Sequence, residues 1–410
     1  MIPLSQLVPS ADNVRKAGVN EGIESLAASL RVHGLFAESP SPPCRNKKRL
    51  RKGHLIEKLS GTKFEKARSH PMLFELISRV AIATFVVLFS TNPFAPATYA
   101  AEGVPDRLRN IQFEYRTDIP VTDSQAHKLE VWIPLPREDG WQRVEALSID
   151  TPSQHEIVTQ DIYGNRLLHI VASSPLPNTL SATIRFQVTR REQAADVTRA
   201  MRDLAEPSDG SFAPYLRSDR LVPTTGRIAE VSANLQKKGV SPYQQARVIY
   251  EYVTSVMKYD KTGKGWGRGD AVYACDIRRG NCTDFHSLFI ALARGRGIPA
   301  RFIIGFPLGT TRSGQIPGYH CWAEFYSGGV WVPVDASEAW KNPSRHDYYF
   351  GHLDADRVAF TMGRDLALKP PQRGALLNYL IYPYAELDGA PIAQDKIKSS
   401  FAYHDVSPGK

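Results

Sequence analysis

Residues 280–288 read Gly-Asn-Cys-Thr-Asp-Phe-His-Ser-Leu and place Cys282 where a loop passes into a helix. The apolar residues of this helix recur at the helical period, at Phe285, Leu288, Phe289 and Leu292. Cys282 is therefore expected in the first turn, where unpaired backbone N–H groups and the positive end of the helix dipole favour a thiolate. A cysteine in this position is predicted to be a nucleophile, whereas an isolated cysteine would be interpreted as a small buried hydrophobe.

The presumed partners of this thiol lie on the two strands of a hairpin further along the chain. With Ser327-Gly328 as the two-residue turn, stepping outward along both strands places His320 opposite Asp335. The Cβ atoms of opposed residues are about 5 Å apart, so Asp335 can bond one ring nitrogen of His320 while the other faces the thiol. A turn at Gly328-Gly329 would make the pair diagonal, within reach but less well aimed.

Four motifs in this region occur together: Gly-Asn-Cys-Thr-Asp-Phe at 280–285, Gly-Ile-Pro-Ala-Arg at 297–301, Gly-Tyr-His-Cys-Trp-Ala-Glu at 318–324 and Pro-Val-Asp-Ala-Ser-Glu at 333–338. Over residues 241–384 the chain resembles the transglutaminase-like superfamily, relatives of papain, and in particular its bacterial exported branch. The resemblance implies that Cys282 is the nucleophile, His320 the base and Asp335 the acid that orients it. It also implies an aromatic oxyanion donor upstream of the cysteine, for which Trp266 and Tyr273 are both available.

The expected fold class is α+β, with a papain-like core in which helices pack on an antiparallel sheet. A helix begins at the capping residue Ser241, with Pro242 at its first position. The strand at 301–306 is expected to start the sheet that the two hairpin strands continue. We assign residues 205–350 to this catalytic domain, and 351–410 to a C-terminal extension like that of the bacterial branch.

Residues 101–200 are predicted to form a separate β-sandwich domain. Apolar residues alternate with polar ones at period two, and turns that contain Pro and Gly separate the alternating segments. The residues expected to point inward are Ile111/Phe113/Tyr115, Leu129/Val131/Ile133 and Ile184/Phe186/Val188. A sandwich of about one hundred residues follows from this pattern. Its expected role is structural packing rather than substrate positioning.

The positive charge of the chain is concentrated at its N-terminus. Of the formal net charge of +9, residues 1–71 contribute seven, with thirteen Lys/Arg against six Asp/Glu. Residues 101–410 are nearly neutral, so we predict no nucleic-acid binding by this part. Residues 1–37 resemble the start of ParB-like partition domains without the motifs that follow there. We interpret 1–71 as a fragment and basic linker, disordered or included by a mis-assigned start.

Residues 72–100 have the order of features of an export signal. Met72 can serve as a start, Arg79 supplies a charge, residues 80–89 form an uncharged apolar run, and Thr98-Tyr99-Ala100 ends in small residues. Ten apolar residues are too few to span a bilayer comfortably. We therefore predict a cleaved signal peptide and a periplasmic or secreted protein, with an inner-membrane anchor as the alternative.

No metal and no organic cofactor is predicted. Cys282, His286, His320 and Cys321 could be considered as a zinc set, but strand neighbours such as His320 and Cys321 point to opposite faces, and no paired Cys-x₂-Cys is present. Cys321 is expected in the core. Cys275 is expected either as a free thiol or in a disulfide with Cys282.

Three further polar residues have structural interpretations. His286 lies four residues after Cys282 on the same helical face and is interpreted as a satisfied core histidine, with a role in orienting the catalytic groups as the alternative. Asp284 is interpreted as a helix cap and Glu324 as a carboxylate on the hairpin surface, rather than as acid catalysts.

These observations predict an exported thiol acyl-transfer enzyme, a protease or amidase acting on a protein or peptide substrate, including a peptide linked to peptidoglycan. Two alternatives remain: a protein-glutamine amine transferase that forms cross-links, and a non-catalytic binding module on the same fold. The intact set of Cys282, His320 and Asp335 argues against the binding module.

Overall fold

The structure is a computed structural model and describes residues 107–202 and 210–407. All of these residues belong to one compact unit. The predictions for residues 1–71 and 72–100, including the ParB-like fragment and the export signal, fall outside the described residues. Within the described ranges, no helix is long and apolar enough to cross a membrane.

The helices are short, and the longest two frame the candidate site. In chain order they are α1 Val197–Ala200, α2 Ala213–Leu216, α3 Arg227–Asn234, α4 Pro242–Val256, α5 Ala271–Ile277, α6 Cys282–Arg294 and α7 Ala336–Lys341, with 3₁₀ turns at Pro343–Arg345 and Gln394–Lys396.

Within the described residues, the strands form three larger sheets and two small ones. Their bounds are β1 Leu108–Pro120, β2 Lys128–Pro134, β3 Gln142–Asp150, β4 Gln154–Thr159, β5 Arg166–Ser173, β6 Thr179–Arg191, β7 Gln193–Ala194, β8 Lys258–Tyr259, β9 Arg279–Gly280, β10 Ala300–Pro307, β11 Ser313–Gln315, β12 His320–Ser327, β13 Val330–Val334, β14 His352–Leu353, β15 Arg357–Met362, β16 Tyr384–Leu387, β17 Ala390–Pro391 and β18 Lys398–Asp405.

Two five-stranded sheets, ordered β11-β18-β1-β6-β3 and β17-β16-β2-β5-β4, contain the strands β1 to β6 of the region that we predicted as a β-sandwich. The other four strands, β11 and β16 to β18, come from residues 313–315 and 384–405, so these sheets are not a separate domain of residues 101–200 as we predicted. Their alternating residues meet in one core, where Ile111, Phe113 and Tyr115 of β1 are fully buried, as period-two alternation predicts. Strands β16 to β18 come from residues 384–405, so the C-terminal segment supplies strands to both sheets.

The second part of the fold is a layer of helices on the antiparallel sheet β13-β12-β10-β15. Ser241 caps α4 and forms the expected capping box with Gln244. The apolar stripe of α4 faces α6, whose residues are all buried. Because helices and an antiparallel sheet occupy separate layers, the predicted α+β class is confirmed.

The hairpin that carries His320 has a different turn from the one we expected. Gly328-Gly329 forms the turn and Ser327 pairs with Val330, so the predicted Ser327-Gly328 turn and the direct opposition of His320 and Asp335 are wrong. Both glycines have positive φ, 59° and 84°, as a two-residue hairpin turn of type I′ requires and as serine resists. A Cβ on Gly328 would also come within 2.0 Å of the Arg199 carbonyl oxygen.

Candidate active site

Cys282 is the first residue of α6, and its neighbours fix that helix start. The Asn281 side chain accepts a hydrogen bond from the Thr283 N–H at 2.9 Å, and Asp284 accepts from the Asn281 N–H at 2.9 Å. These reciprocal bonds form a capping box, as the role predicted for Asp284 requires. The cysteine side chain is only 3% exposed. The predicted position of Cys282 in the first helical turn is confirmed.

Asp284 also holds a glycine-rich loop against the start of α6. Its buried carboxylate accepts from the N–H groups of Gly267 at 2.7 Å and Gly269 at 3.0 Å. A Cβ on Gly280 would come within 2.2 Å of this carboxylate, so only glycine fits there without displacement. The loop over 261–269 is thereby fixed beside Cys282.

His320 and Asp335 meet despite the shifted register. His320 Nε2 lies 2.7 Å from Asp335 Oδ2, and both side chains are buried. Since His320 begins β12 and Asp335 follows the last residue of β13, the two reach each other diagonally past the ends of the ladder. Nε2 is engaged by the carboxylate, so Nδ1 is the nitrogen left to hydrogen-bond the Cys282 thiol.

Asp335 is fully buried, and several hydrogen bonds fix the orientation of its carboxylate. Oδ1 accepts from Ser337 Oγ and from the Glu338 N–H, both at 3.0 Å. Oδ2 accepts from Arg357 Nη1 at 2.8 Å in addition to His320. Asp335 is also the N-cap of α7, so the residue that orients His320 also caps the start of this helix.

The electrostatics of these groups favour a charged thiol–imidazole pair. The pKa of Cys282 is lowered well below its usual value by a hydrogen bond from the Cys321 thiol and by the hydrogen bond and charge of His320, which together outweigh burial. Burial lowers the pKa of His320, but the charge and hydrogen bond of Asp335 and the contact with Cys282 raise it to about 10. The arrangement therefore corresponds to a thiolate beside an imidazolium.

His286 connects the start of α6 with the start of α7. Its Nδ1 lies 2.7 Å from the Cys282 carbonyl oxygen, and its Nε2 lies 3.1 Å from the Ala336 N–H. A carbonyl can only accept and an N–H can only donate, so this geometry assigns the neutral tautomer with the proton on Nδ1. His286 is thus the satisfied buried histidine that we expected, and its Nε2 also lies 3.5 Å from Asp335 Oδ1.

This geometry coincides with a match to a known family. Residues 229–336, which include Cys282, His320 and Asp335, match the family model described as the transglutaminase-like superfamily. The chain contains a transglutaminase-like domain. An uncharacterized protein of Haemophilus influenzae is 28% identical over 335 residues, which cover 72% of this chain and 90% of that relative. A crystal structure of a candidate cysteine protease from Cytophaga hutchinsonii aligns with a TM-score of 0.51 at 17% identity, covering 75% of this chain and 94% of that one.

Beside His320 the transglutaminase-like domain opens into a cavity of about 410 Å³. Its walls are mainly tyrosines, prolines and charged side chains, namely Tyr259, Lys261, Pro307, Leu308, Pro317, Gly318, Tyr319, His320, Glu338, Lys341, Tyr349, Asp354, Asp356 and Arg357. The carboxylates of the wall are paired: Asp354 with Arg357, Asp356 with Arg109, and Glu338 with Lys341. The cavity therefore reaches His320, the histidine that contacts Cys282.

Arg357 contacts the candidate site and was missed by sequence reasoning, since residues 351–410 were assigned only packing. The side chain is 3% exposed and bridges Asp335 to Asp354, with its guanidinium 5.2 Å from the Trp322 ring centroid. Arg357 lies on β15, which pairs with β10 and not with the hairpin strands. No local motif connects it to Asp335, so only the sheet order brings the two together.

The two aromatic residues proposed as oxyanion donors lie upstream of Cys282 and are half-buried. Trp266 is part of the loop held by Asp284. The Tyr273 ring packs under Gly265, where an added Cβ would come within 2.8 Å of it, and the Tyr273 hydroxyl is buried without a hydrogen-bond partner among the described residues. Neither residue is recorded in a contact with Cys282.

The remaining cysteines of the transglutaminase-like domain are free thiols. Cys275, Cys282 and Cys321 are all unpaired, so the alternative of a Cys275–Cys282 disulfide is not formed. Cys321 is buried as expected, but it also contacts the site: its Sγ lies 3.7 Å from His286 Nδ1, and it hydrogen-bonds Cys282. Burial and the neighbouring Cys282 raise its pKa well above the usual value, so Cys321 stays protonated.

Glu324 differs from our expectation of a surface carboxylate. It is 3% exposed, and it accepts from Arg301 Nε at 2.7 Å and from Gln193 Nε2 at 2.9 Å. Charge neutralisation by Arg301 allows this buried carboxylate in the middle of β12. It lies on the side of the sheet that meets β7, away from the thiol.

Metal-ligating side chains converge at one exposed place in the described ranges, where Glu251, His346 and Asp347 bring three ligand atoms within 4.8 Å of one another. Arg247 binds both carboxylates of this group. A guanidinium already supplies the positive charge there, so these residues are better described as an ion-pair network than as a cation site.

Proposed function

We propose that this chain is a thiol-dependent acyl-transfer enzyme that hydrolyses a peptide or amide bond. The observation that supports it most is the pairing of Cys282 at a helix N-terminus with His320, whose second nitrogen is held 2.7 Å from the buried carboxylate of Asp335. In this proposal Cys282 is the nucleophile, His320 transfers protons, and Asp335 fixes the imidazole and stabilises its charged form.

The reaction begins when the Cys282 thiolate attacks the substrate carbonyl carbon. The C–S bond forms, and the π electrons of the carbonyl move to its oxygen, which the Cys282 backbone N–H can bind. None of the described residues accepts a hydrogen bond from this N–H. Collapse of the intermediate breaks the C–N bond as His320 protonates the leaving amine. Water, deprotonated by His320, then attacks the thioester and releases the acid and the thiolate.

We further propose that the chain acts outside the cytoplasm. The support comes from the sequence of residues 72–100, where a charge, an apolar run and a small-residue cleavage site follow in the order of an export signal. Peptide mapping of the mature native protein tests this, because cleavage after Ala100 removes everything before it. Recovery of peptides from residues 1–71 in the mature protein would contradict the proposal.

The nature of the acyl acceptor can be measured directly. Casein is incubated with the purified chain and dansylcadaverine in heavy-oxygen water, and its fragments are analysed by mass spectrometry. New carboxyl termini or deamidated glutamines that carry heavy oxygen indicate hydrolysis, whereas dansyl adducts on glutamine indicate amine transfer.

Two variants make this result specific to the proposed nucleophile. Cys282→Ala should abolish the product, while Cys275→Ala, which removes another buried thiol, should retain it. If the parent chain and Cys282→Ala give identical casein spectra, and Cys282 is alkylated no faster than Cys275, the binding-module alternative replaces the proposal.

A further inference from the structure

Tyr319 lies between the proposed base and the residue that precedes the nucleophile. It directly precedes His320, and its hydroxyl accepts a hydrogen bond from Asn281 Nδ2 at 3.2 Å. Asn281 directly precedes Cys282. Tyr319 and His320 both line the cavity beside the site. The phenol is therefore placed at the start of α6 and in the wall of the cavity that reaches His320.

The direction of the neighbouring hydrogen bonds leaves the Tyr319 proton available. Tyr379 donates its hydroxyl proton to the Gly267 carbonyl at 3.1 Å, so the Tyr379 oxygen can only accept from Tyr319. That contact is 3.5 Å long, at the limit of a hydrogen bond. The Tyr319 oxygen is held by Asn281, while the O–H proton has no short acceptor among the described residues.

The phenol also lies in the field of the nucleophile. Burial is the main cause that raises the pKa of Tyr319, and the hydroxyl of Tyr379 and the charge of Cys282 raise it further. A tyrosine in this state keeps its proton throughout the physiological range and remains a donor. Because the Cys282 charge is felt at the hydroxyl, a charge that forms on the oxygen of a carbonyl carbon bonded to this sulfur is felt there too.

We propose that the Tyr319 hydroxyl, together with the backbone N–H of Cys282, donates to the oxyanion of the tetrahedral intermediate. This inference rests on the proposed function, and it assigns the donor to a residue downstream of the nucleophile instead of Trp266 or Tyr273. When the thiolate adds to the carbonyl carbon, the negative charge moves from sulfur to the carbonyl oxygen. The O–H then turns from its long contact with Tyr379 toward that oxygen, and the bond weakens again when the leaving group departs.

Two reagents separate this role from a general effect on the thiol. 4-Nitrophenyl acetate acylates Cys282 through a tetrahedral oxyanion, whereas iodoacetamide alkylates it by direct displacement without one. Tyr319→Phe should slow Cys282 acylation by roughly 10²-fold, the typical effect of removing one oxyanion donor. It should leave the iodoacetamide rate nearly unchanged. Tyr326→Phe, which removes a hydroxyl at the other end of β12, should retain both rates.

The other possible outcomes contradict either the role of Tyr319 or the proposed function. If Tyr319→Phe acylates at the parental rate, or if it slows acylation and alkylation equally, Tyr319 is not the oxyanion donor. If Cys282→Ala releases 4-nitrophenol as fast as the parent, the thiol is not a nucleophile and the proposed function fails together with this inference. Circular dichroism and thermal unfolding of Tyr319→Phe confirm that the compared chains are folded.

Discussion

Arg357 donates a hydrogen bond from Nη1 to Oδ2 of Asp335 at 2.8 Å, so the orienting carboxylate has a permanent cation beside it. The same oxygen accepts from His320 at 2.7 Å. Although burial alone would raise the pKa of Asp335, the charge and hydrogen bond of His320 and the charge of Arg357 hold it well below its usual value. The carboxylate therefore stays ionised in a fully buried position.

Removal of this cation is expected to cost stability. Arg357→Met leaves the buried Asp335 and the half-buried Asp354 without a permanent counter-charge, and loss of one partner from a buried ion pair such as Arg357–Asp335 costs about 3–5 kcal/mol. Urea unfolding followed by circular dichroism measures the change. Arg116→Met, which removes an exposed arginine paired with Glu114, should leave the midpoint almost unchanged. Equal midpoints for the two variants would contradict the role assigned to Arg357.

Asp335→Asn tests the orienting role of the carboxylate itself. The amide can keep part of the packing but not the charge that favours the His320 imidazolium, so acyl transfer should fall by about 10²–10⁴-fold. Steady-state hydrolysis of the best casein-derived peptide measures the loss. Asp347→Asn, an exposed carboxylate paired with Arg247, should leave turnover intact. Near-parental turnover of Asp335→Asn on a substrate that Cys282→Ala cannot process means that the acid is misassigned.

The local parts of this site were predictable because each has a local cause. The capping residues around Cys282 and the helical spacing that follows fix the start of α6, and sequence alone places them. The hairpin register was not predicted correctly, because the choice between two turns depends on φ. A type I′ turn needs positive φ at both central positions, which glycine adopts readily and serine resists, and this rule favours Gly328-Gly329 and could have been applied to the sequence.

Other contacts depend on which elements become neighbours in space. Arg357 reaches Asp335 because β15 pairs with β10, and Tyr319 reaches Asn281 because β12 begins beside the start of α6. Neither pairing has a periodicity or a motif in the sequence. The buried position of Glu324 was missed for the same reason, since its partner Gln193 lies far away in the chain.

The state of the nucleophile can be measured by alkylation with iodoacetamide and peptide-level mass spectrometry. The lowered pKa of Cys282 predicts that its rate at neutral pH exceeds that of Cys275, whose pKa is raised by burial, and that of Cys321. The rate should fall only when the pH drops through the lowered pKa. His320→Ala removes one cause of the shift, so the fall should move to higher pH. Equal rates for the three thiols would exclude an activated Cys282.

The free energy of unfolding depends on pH through both His320 and Cys282. The contribution of His320 is lost as the pH rises, and that of Cys282 is lost as the pH falls. The pKa of His320 is raised to about 10 in the folded state, so its contribution is complete below the unfolded value of about 6.5 and is lost as the pH rises through 10. The pKa of Cys282 is lowered, so its contribution is complete above the unfolded value of about 8.5 and is lost as the pH falls. Between about 6.5 and 8.5 the folded pair and the unfolded pair bind the same number of protons.

These two groups therefore predict a plateau in the free energy of unfolding from about pH 6.5 to 8.5 and a decline from there to about pH 10, where His320 loses its proton. Cys282→Ser removes the thiolate contribution. Its free energy of unfolding should decline already from about pH 6.5, with a slope approaching about 1.4 kcal/mol per pH unit as long as His320 remains charged. Urea unfolding of the two chains at half-unit pH intervals measures both curves. Parallel curves across this window would show that Cys282 is protonated in the folded protein, and parallel curves that are also flat would show that the pair is neutral.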